Sequence, residues 1–297
     1  MFARVGKTSL HPHWLSELAA DRNWDLQLST WLPDLAEQLT DGDFPTWLHT
    51  GVKYTSICDF FAEHPELIDR YDYVMFPDDD LLFDTGALSR LFDICRSENL
   101  SLAQPALRPS SFTAWPIVLQ APRFKLRYTN YVEPMAPICR ASYLPVLLPL
   151  FKRWPTGWGL DDVWSLLMPD VVRGSAIIDC EPMLHLRPLE TGDIYKKFAD
   201  LGMDPRRDWR EIRASYDIAG KGKHVYGGVL QSGRRVGRKR ANFLNGLHLL
   251  RSASSMREQR KTINTGIRLL SRMITSLRYR PKPARYIAGD GLDIWAA

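Results

Sequence analysis

The chain predicts an α/β fold, a mixed sheet flanked by helices and followed by a basic helical extension. Three observations carry that expectation. Apolar and aromatic runs alternate with helix-period stretches through roughly the first 190 residues. One of those runs, Tyr71 to Phe76, leads into three consecutive carboxylates, Asp78, Asp79 and Asp80. The composition then changes: residues 234–285 hold fifteen Lys and Arg against the single acid Glu258. That window carries a formal charge of +14, which leaves −9 on the rest of a chain whose net charge is +5. An acidic body and a basic tail face different partners.

Each element has its own justification. Met1 to Val5 reads as a first strand. Ser9 offers an N-cap to a short helix whose apolar face is Trp14, Leu15 and Leu18. Asp25 to Ser29 alternates at period two, as a half-buried strand does. Val52 to Arg70 predicts a helix with Ile57, Phe60, Phe61 and Leu67 inward, and the strand Tyr73 to Phe76 follows it. Leu88, Leu91, Phe92 and Cys95 recur at helical spacing, and Ser175 to Cys180 is a short β-branched strand. The glycine-punctuated basic stretch Ser232 to Arg240 predicts a linker and a boundary near residue 230, with an α/β domain over 1–230 and a basic helical extension over 231–297. In that extension Ile263, Ile267, Leu270, Ile274 and Leu277 share one helical face, decorated by Lys261, Arg268 and Arg272.

Composition excludes several classes. A length of 297 residues at 45% hydrophobic content supports a sizeable core and is not that of a disordered or fibrous chain. No segment approaches the ~20 apolar residues of a membrane span; Tyr143 to Phe151 is too short and carries Pro145 and Pro149. The first residues lack the apolar stretch of a secretory signal, so cytoplasmic residence is expected. Cys58, Cys95, Cys139 and Cys180 are widely separated, which suggests reduced core residues and neither a zinc knuckle nor a disulfide framework.

Adjacent bare carboxylates repel one another, so the Asp78–Asp80 cluster calls for positive charge among its members, a divalent cation first of all. A solvated turn is the plainer alternative. Open α/β sheets place ligands outside the carboxyl ends of their strands, where this cluster would lie. In Gly157-Trp158-Gly159-Leu160-Asp161-Asp162 two acids stand at a predicted helix start, where the helix dipole keeps carboxylates ionised and suited to a general base; simple N-terminal helix acids are the alternative. His185 and Arg187 follow a strand, where a histidine can complete an oxygen-rich metal site and an arginine can answer a phosphate. Glu133 is one acid in the proline-bounded, apolar segment Asn130 to Pro137 and calls for a polar partner. Together the four clusters point to one site assembled from strand ends.

Phe76-Pro77-Asp78-Asp79-Asp80, Val132-Glu133-Pro134-Met135-Ala136-Pro137, Trp158-Gly159-Leu160-Asp161 and Ile177-Ile178-Asp179 with His185-Leu186-Arg187-Pro188 occur in that order. In this order they resemble the glycosyltransferase-like family catalogued as "domain of unknown function 707", and the opening Arg4 to His11 and Trp14 resemble its beginning, so the likeness covers about residues 1 to 230. The family is similar to nucleotide-sugar-dependent transferases of the GT-A fold, Rossmann-like mixed sheets in which a DxD motif holds a divalent cation against the donor diphosphate. The resemblance implies that Asp80, with Asp78 directly or through water, binds Mn²⁺ or Mg²⁺, and that His185 is a late metal ligand. It implies Asp161 as the base that deprotonates an acceptor hydroxyl in an inverting displacement, with Asp162 as its rival. Val5, Gly6 and Ser9, with Lys53, Asp79 and Arg187, would meet the nucleotide donor; Glu133, Trp158 and Gly159 would meet the sugar or acceptor. The implied partners are a nucleotide-sugar donor, UDP-linked, and a glycan or lipid-linked acceptor.

Three other readings share these residues. One is a non-catalytic nucleotide- or sugar-binding module. Another is a metal-dependent phosphohydrolase, which needs more ligands than Asp78, Asp80 and His185. A third is a nucleic-acid binder acting through the tail, against which the tail lacks interleaved aromatics. For the tail itself, a basic amphipathic helix predicts a peripheral place on an anionic membrane surface through 234–285, at the inner membrane face, with a helix packed on the catalytic domain as the alternative.

Overall fold

Strand residues in this chain alternate between two apolar cores. Tyr73 and Met75 enter one cluster while Val74 and Phe76 enter the other, and the same split divides Ala103 from Leu102 and Ile138 from Cys139. Successive side chains on a strand point to opposite faces. A sheet covered on both faces therefore reads as continuous apolar sequence, which is what the Tyr71 to Phe76 run shows.

The computed structural model describes residues 1–189, 191, 193–218, 222–275 and 279–287. Its strands are β1 (Phe2–Arg4), β2 (Gln27–Thr30), β3 (Trp47–Leu48), β4 (Tyr73–Met75), β5 (Leu81–Leu82), β6 (Leu102–Leu107), β7 (Phe124–Thr129), β8 (Ile138–Arg140), β9 (Ser175–His185), β10 (Val225–Leu230) and β11 (Arg235–Gly237). Its helices are α1 (His11–Trp14), α2 (Pro33–Gln38), α3 (Lys53–Glu63), α4 (Glu66–Arg70), α5 (Ala87–Ser97), α6 (Leu144–Arg153), α7 (Leu160–Val163), α8 (Asp193–Asp200), α9 (Pro205–Ser215), α10 (Arg238–Ser252) and α11 (Gln259–Thr275). The fold is mixed α/β, as expected, with the strands in two sheets. β1, β2 and β3 form a small parallel sheet. The larger sheet runs β11-β10-β7-β9-β6-β8-β4, with β5 paired to the end of β9; β6 and β9 are parallel and the other pairs antiparallel.

Several local expectations are corrected. The first helix is a single turn: Trp14 docks its indole on the Leu81 carbonyl at 2.7 Å, and the chain leaves the helix there, so Leu15 lies beyond it and Leu18 is exposed. Ser9 is not its N-cap; the cap position is Leu10, and Ser9 Oγ meets the His11 ring instead. β2 is buried along its whole length rather than on one side, because β1 and β3 flank it and Gln27 gives its amide to the Leu28 and Pro45 carbonyls. The helix expected over Val52 to Arg70 is two helices, α3 and α4, divided at His64 and Pro65, where proline supplies no N–H to continue the ladder. β9 continues five residues past Cys180, because β5 pairs with its end, Leu81 opposite His185. That pairing brings Asp80 beside His185.

The boundary expected near residue 230 falls inside the β10–β11 hairpin, whose two strands both belong to the large sheet. Ala241 and Leu249 of α10 and Leu269 of α11 share a core cluster with β6, β7 and β9. Residues 231–275 are thus a layer of the same unit, and the Ser232 to Arg240 stretch is a hairpin turn, the strand β11 and the start of α10 rather than a linker. α11 buries Thr262, Gly266 and Leu269, a face rotated by one residue, or ~100°, from the predicted isoleucine face. Glycines select that rotation. A Cβ on Gly266 would stand 3.0 Å from the Gly246 carbonyl oxygen and 2.9 Å from Leu250, so the helices meet where neither carries a side chain. Leu277 lies outside the described residues.

Cys95 and Cys139 are buried, Cys58 and Cys180 are half-buried, and all four are free. Among the described residues no helix is long and apolar enough to cross a membrane.

Candidate active site

The strand-end acids are held by main-chain bonds: Phe76 N–H donates to the Pro137 carbonyl at 3.0 Å and Asp78 N–H to the Met135 carbonyl at 2.7 Å. Each carboxylate then has its own basic partner. Lys53, at the start of α3, donates to Asp78 Oδ1 at 2.6 Å and to the Pro134 carbonyl at 2.8 Å. Arg187 donates to Asp79 Oδ1 at 2.9 Å, and the Gly6 N–H donates to Asp79 Oδ2 at 2.8 Å. His185 Nε2 lies 3.2 Å from Asp80 Oδ2. The positive charge that the cluster requires is thus available from side chains of α3, β9 and the loop after it. Among the described residues no three His, Cys, Asp or Glu side chains converge as a metal cage. Arg187 directs its second nitrogen to the backbone and hydroxyl oxygens of Thr8, so it braces the first-strand loop rather than standing open to a phosphate.

The first-strand loop does meet the acids. Besides the Gly6 bond, Leu10 N–H donates to the Asp79 carbonyl at 2.7 Å. The Val5 side chain is buried in the core, and its N–H pairs with the Ser29 carbonyl. Any role for Val5 at the site therefore falls to its backbone.

His185 Nδ1 is 2.8 Å from the Phe112 carbonyl oxygen, which can only accept, so Nδ1 carries a proton. In the neutral ring the Nε2 lone pair then faces the Asp80 carboxylate, and two acceptors at that distance call for a cation or a proton between them. Burial opposes charging of His185, but the hydrogen bond and charge of Asp80, with help from Phe112 and Asp78, raise its pKa. Asp80 Oδ1 is buried without a hydrogen-bond partner among the described residues.

The second acid pair sits after a turn that only glycine serves well. Gly157 and Gly159 have φ of 80° and 92°, and a Cβ on Gly157 would stand 2.2 Å from the Tyr54 ring. Half-buried Trp158 lies between them. Asp161 Oδ2 accepts from the Tyr131 hydroxyl at 2.6 Å. Asp162 accepts from Trp209 Nε1 at 3.1 Å, Arg213 at 3.0 Å and Lys223 at 3.3 Å. Desolvation pushes the Asp161 carboxyl up to about 6; Lys223 opposes the shift and Asp162 adds to it. α7 is only four residues long, and at Asp161 desolvation outweighs the groups that favour the charged form, although a carboxyl near 6 is still largely ionised at neutral pH.

Glu133 is buried, and its Oε2 has no partner among the described residues. Burial and the Asp161 charge push its carboxyl up to about 8, against the pull of His185 and Lys223. Those influences place the two acid clusters near each other, as does Lys53, which bridges Asp78 to Pro134 next to Glu133. Sequence reasoning missed the groups that set the second cluster. Tyr131 stood in a segment already singled out, but Trp209, Arg213 and Lys223 come from a distant excursion between β9 and β10 and carry no local signal. Lys223 also lies over the rings of Trp115, at 4.1 Å, and Tyr131, at 3.7 Å.

Fold and site together define an α/β protein with acids gathered at the ends of its strands. A family model described as "Protein of unknown function (DUF707)" matches residues 58–191, somewhat under half of the chain. That span includes Asp78 to Asp80, Glu133, Trp158 to Asp162, His185 and Arg187 and is shorter than the 1 to 230 expected; Val5, Gly6, Ser9 and Lys53 lie outside it. No curated protein matches. Among solved structures, S. aureus TarS 1–349 aligns at 8% identity and a TM-score of 0.36, over 98% of this chain and 97% of that one. The same TarS segment in complex with UDP aligns at 10% identity and a TM-score of 0.36, over 98% of both chains. Similarity at that level is too loose to carry a function across.

Proposed function

We propose that this chain is a glycosyltransferase that moves a sugar from a nucleotide-sugar donor, UDP-linked, to a hydroxyl of a glycan or lipid-linked acceptor, with inversion. The observation that supports the reading best is the division of labour at the α7 acids. Asp162 accepts from two cations and an indole N–H, while Asp161 has one neutral donor and a pKa raised toward neutrality. A base is most effective when its pKa lies near the working pH. Asp161 takes the acceptor hydroxyl proton as that oxygen bonds to the anomeric carbon; the bond from that carbon to the nucleoside diphosphate breaks, and the electron pair leaves with the diphosphate. Lys53 and Arg187 sit on the donor side, among Asp78 and Asp79. Glu133, neutral below about 8, can donate to a sugar oxygen.

We include a divalent cation, Mn²⁺ or Mg²⁺, which two features of the donor set support although no three ligating side chains of the described residues converge there. Asp80 Oδ1 is a buried, unpartnered acceptor, and Phe112 fixes the His185 tautomer that leaves Nε2 free to ligate. Asp80 and His185 would hold the ion, with Asp78 directly or through water. When bound, it would supply positive charge to the departing diphosphate.

Calorimetry of UDP binding with and without Mn²⁺ tests the donor site. Wild type should bind UDP in a metal-dependent way, and Asp80→Ala should lose that dependence while keeping its melting transition. Equal affinity for both proteins would remove Asp80 from the donor site. Failure to turn over any of a panel of UDP-sugars would favour a non-catalytic binding module.

A further inference from the structure

The rotation that buries Thr262, Gly266 and Leu269 turns Ile267 and Ile274 outward, where they are 54% and 75% exposed. Seven residues apart, they fall on one line of α11, and the exposed Arg260 and Arg268 accompany them. α10 packs against α11 through Gly246 and adds Phe243, 44% exposed, beside the exposed Lys239 and Arg240. Negative charge is scarce here: Glu258 is the only acid in 234–285 and lies 3.2 Å from Lys261. The cationic field extends inward, where burial together with Arg272 and Arg238 holds the His224 ring down to about 4.

A helix whose basic face is merely solvated has no need of isoleucines on that face, and a helix wholly committed to the core would bury them. A nucleic acid would engage the cations but leave Ile267 and Ile274 in water, and Phe243 is the only large aromatic side chain of α10 or α11 to stack on. An anionic bilayer accounts for both features: the basic side chains meet lipid head groups while the apolar ones enter the interfacial zone. We propose that the outward face of the α10–α11 pair is a docking surface for an anionic lipid bilayer, attracted by Lys239, Arg240, Arg260 and Arg268 and anchored by Phe243, Ile267 and Ile274. The α11 part of the anchor belongs to the face that helical periodicity selects, and it stays outside because Gly246 and Gly266 bring the neighbouring face of α11 into the core. The segment between the two helices also reaches the neighbourhood of His185. Arg257, just before α11, lies 3.9 Å over the Phe112 ring and donates to the Ser110 carbonyl at 3.0 Å, and Phe112 is the residue whose carbonyl orients His185. Docking does not depend on the catalytic reading.

The test is sedimentation of the full chain with vesicles of phosphatidylcholine mixed with an equal part of phosphatidylglycerol, against vesicles of phosphatidylcholine alone. The wild type should pellet with the anionic vesicles only, and salt should weaken the binding. Ile267→Ser with Ile274→Ser, and separately Arg260→Glu with Arg268→Glu, should each lower the partition coefficient on the order of tenfold. Phe243→Ser should lower it less. All these positions are exposed, so the melting transition should stay in place. A wild type that ignores anionic vesicles overturns the proposal, whether or not it binds duplex DNA. So does a loss confined to one of the two double variants, because charge and apolar insertion are required together.

Discussion

Asp78 and Asp79 are each matched with a cation and Asp80 faces His185, whereas Asp161 and Asp162, adjacent in sequence, divide their partners unequally. Asp162 takes an indole N–H and two cations; Asp161 takes one phenol, and Glu133 nearby has an oxygen with none. Local acidity is therefore a poor guide to reactivity. Partners lower a carboxyl pKa and desolvation raises it: burial holds Asp78 and Asp79 above the ordinary value even with their cations, and it pushes the less compensated Asp161 and Glu133 up to about 6 and about 8. A third region marks the far end of this scale. Arg127 and Asp179 are fully buried and joined by two hydrogen bonds of 2.8 Å, and Arg127 also donates to the Ile117 and Leu119 carbonyls. That pair holds the loop leading away from Trp115 and is structural.

The largest effect is expected there. Arg127→Ala leaves Asp179 buried and unpaired and should cost ~3–5 kcal/mol in urea unfolding. A cost below ~1 kcal/mol would mean that compensation is not what keeps these acids in place.

Asp161→Asn comes next. It should lower turnover by ~10²-fold or more while UDP affinity is kept. Wild-type turnover should also fall as the pH drops through about 6, because the base then holds its proton. Asp162→Asn should do less, since its role is to anchor Trp209, Arg213 and Lys223. The opposite ranking would transfer the base to Asp162, and two mild effects would defeat both assignments.

Glu133 gives the smallest effect. Its folded pKa of about 8 lies above the ordinary 4.5, so the folded protein keeps a proton that the unfolded chain releases. Its contribution is fully present below the ordinary value and is lost as the pH rises toward about 8; Asp161 acts in the same sense up to about 6. Glu133→Gln should flatten this decline by on the order of 1–3 kcal/mol, read as the difference in unfolding free energy below and above the window. An unchanged slope would mean that Glu133 is not the buried acid it appears in the site geometry.

Much of this contrast was legible before the fold. His185 and Arg187 lie against Asp80 and Asp79, and Glu133 lies near Asp161 and His185, because strand ends and their turns are written locally in apolar runs closed by polar residues. The neutralising partners were not legible. Arg213 and Lys223 reach Asp162 from more than fifty residues away in sequence, and nothing in their neighbours distinguishes them from surface cations.

By itself the sequence determined the α/β class, the strands β1, β2, β4 and β9, the helices α3, α5 and α11, the candidate acids and the basic character of the C-terminal layer. Those properties depend on short-range periodicity and on composition. Tertiary structure alone decided which acid is compensated and which is not, that α10 and α11 belong to the main core, and which face of α11 looks outward. Each of these depends on approach distances between segments remote in the chain: a hydrogen bond near 3 Å to Asp162, or two glycine backbones in contact at Gly246 and Gly266. Helical periodicity gives an amphipathic helix two or three neighbouring faces of similar apolarity, and only the shape of the surface it meets chooses among them.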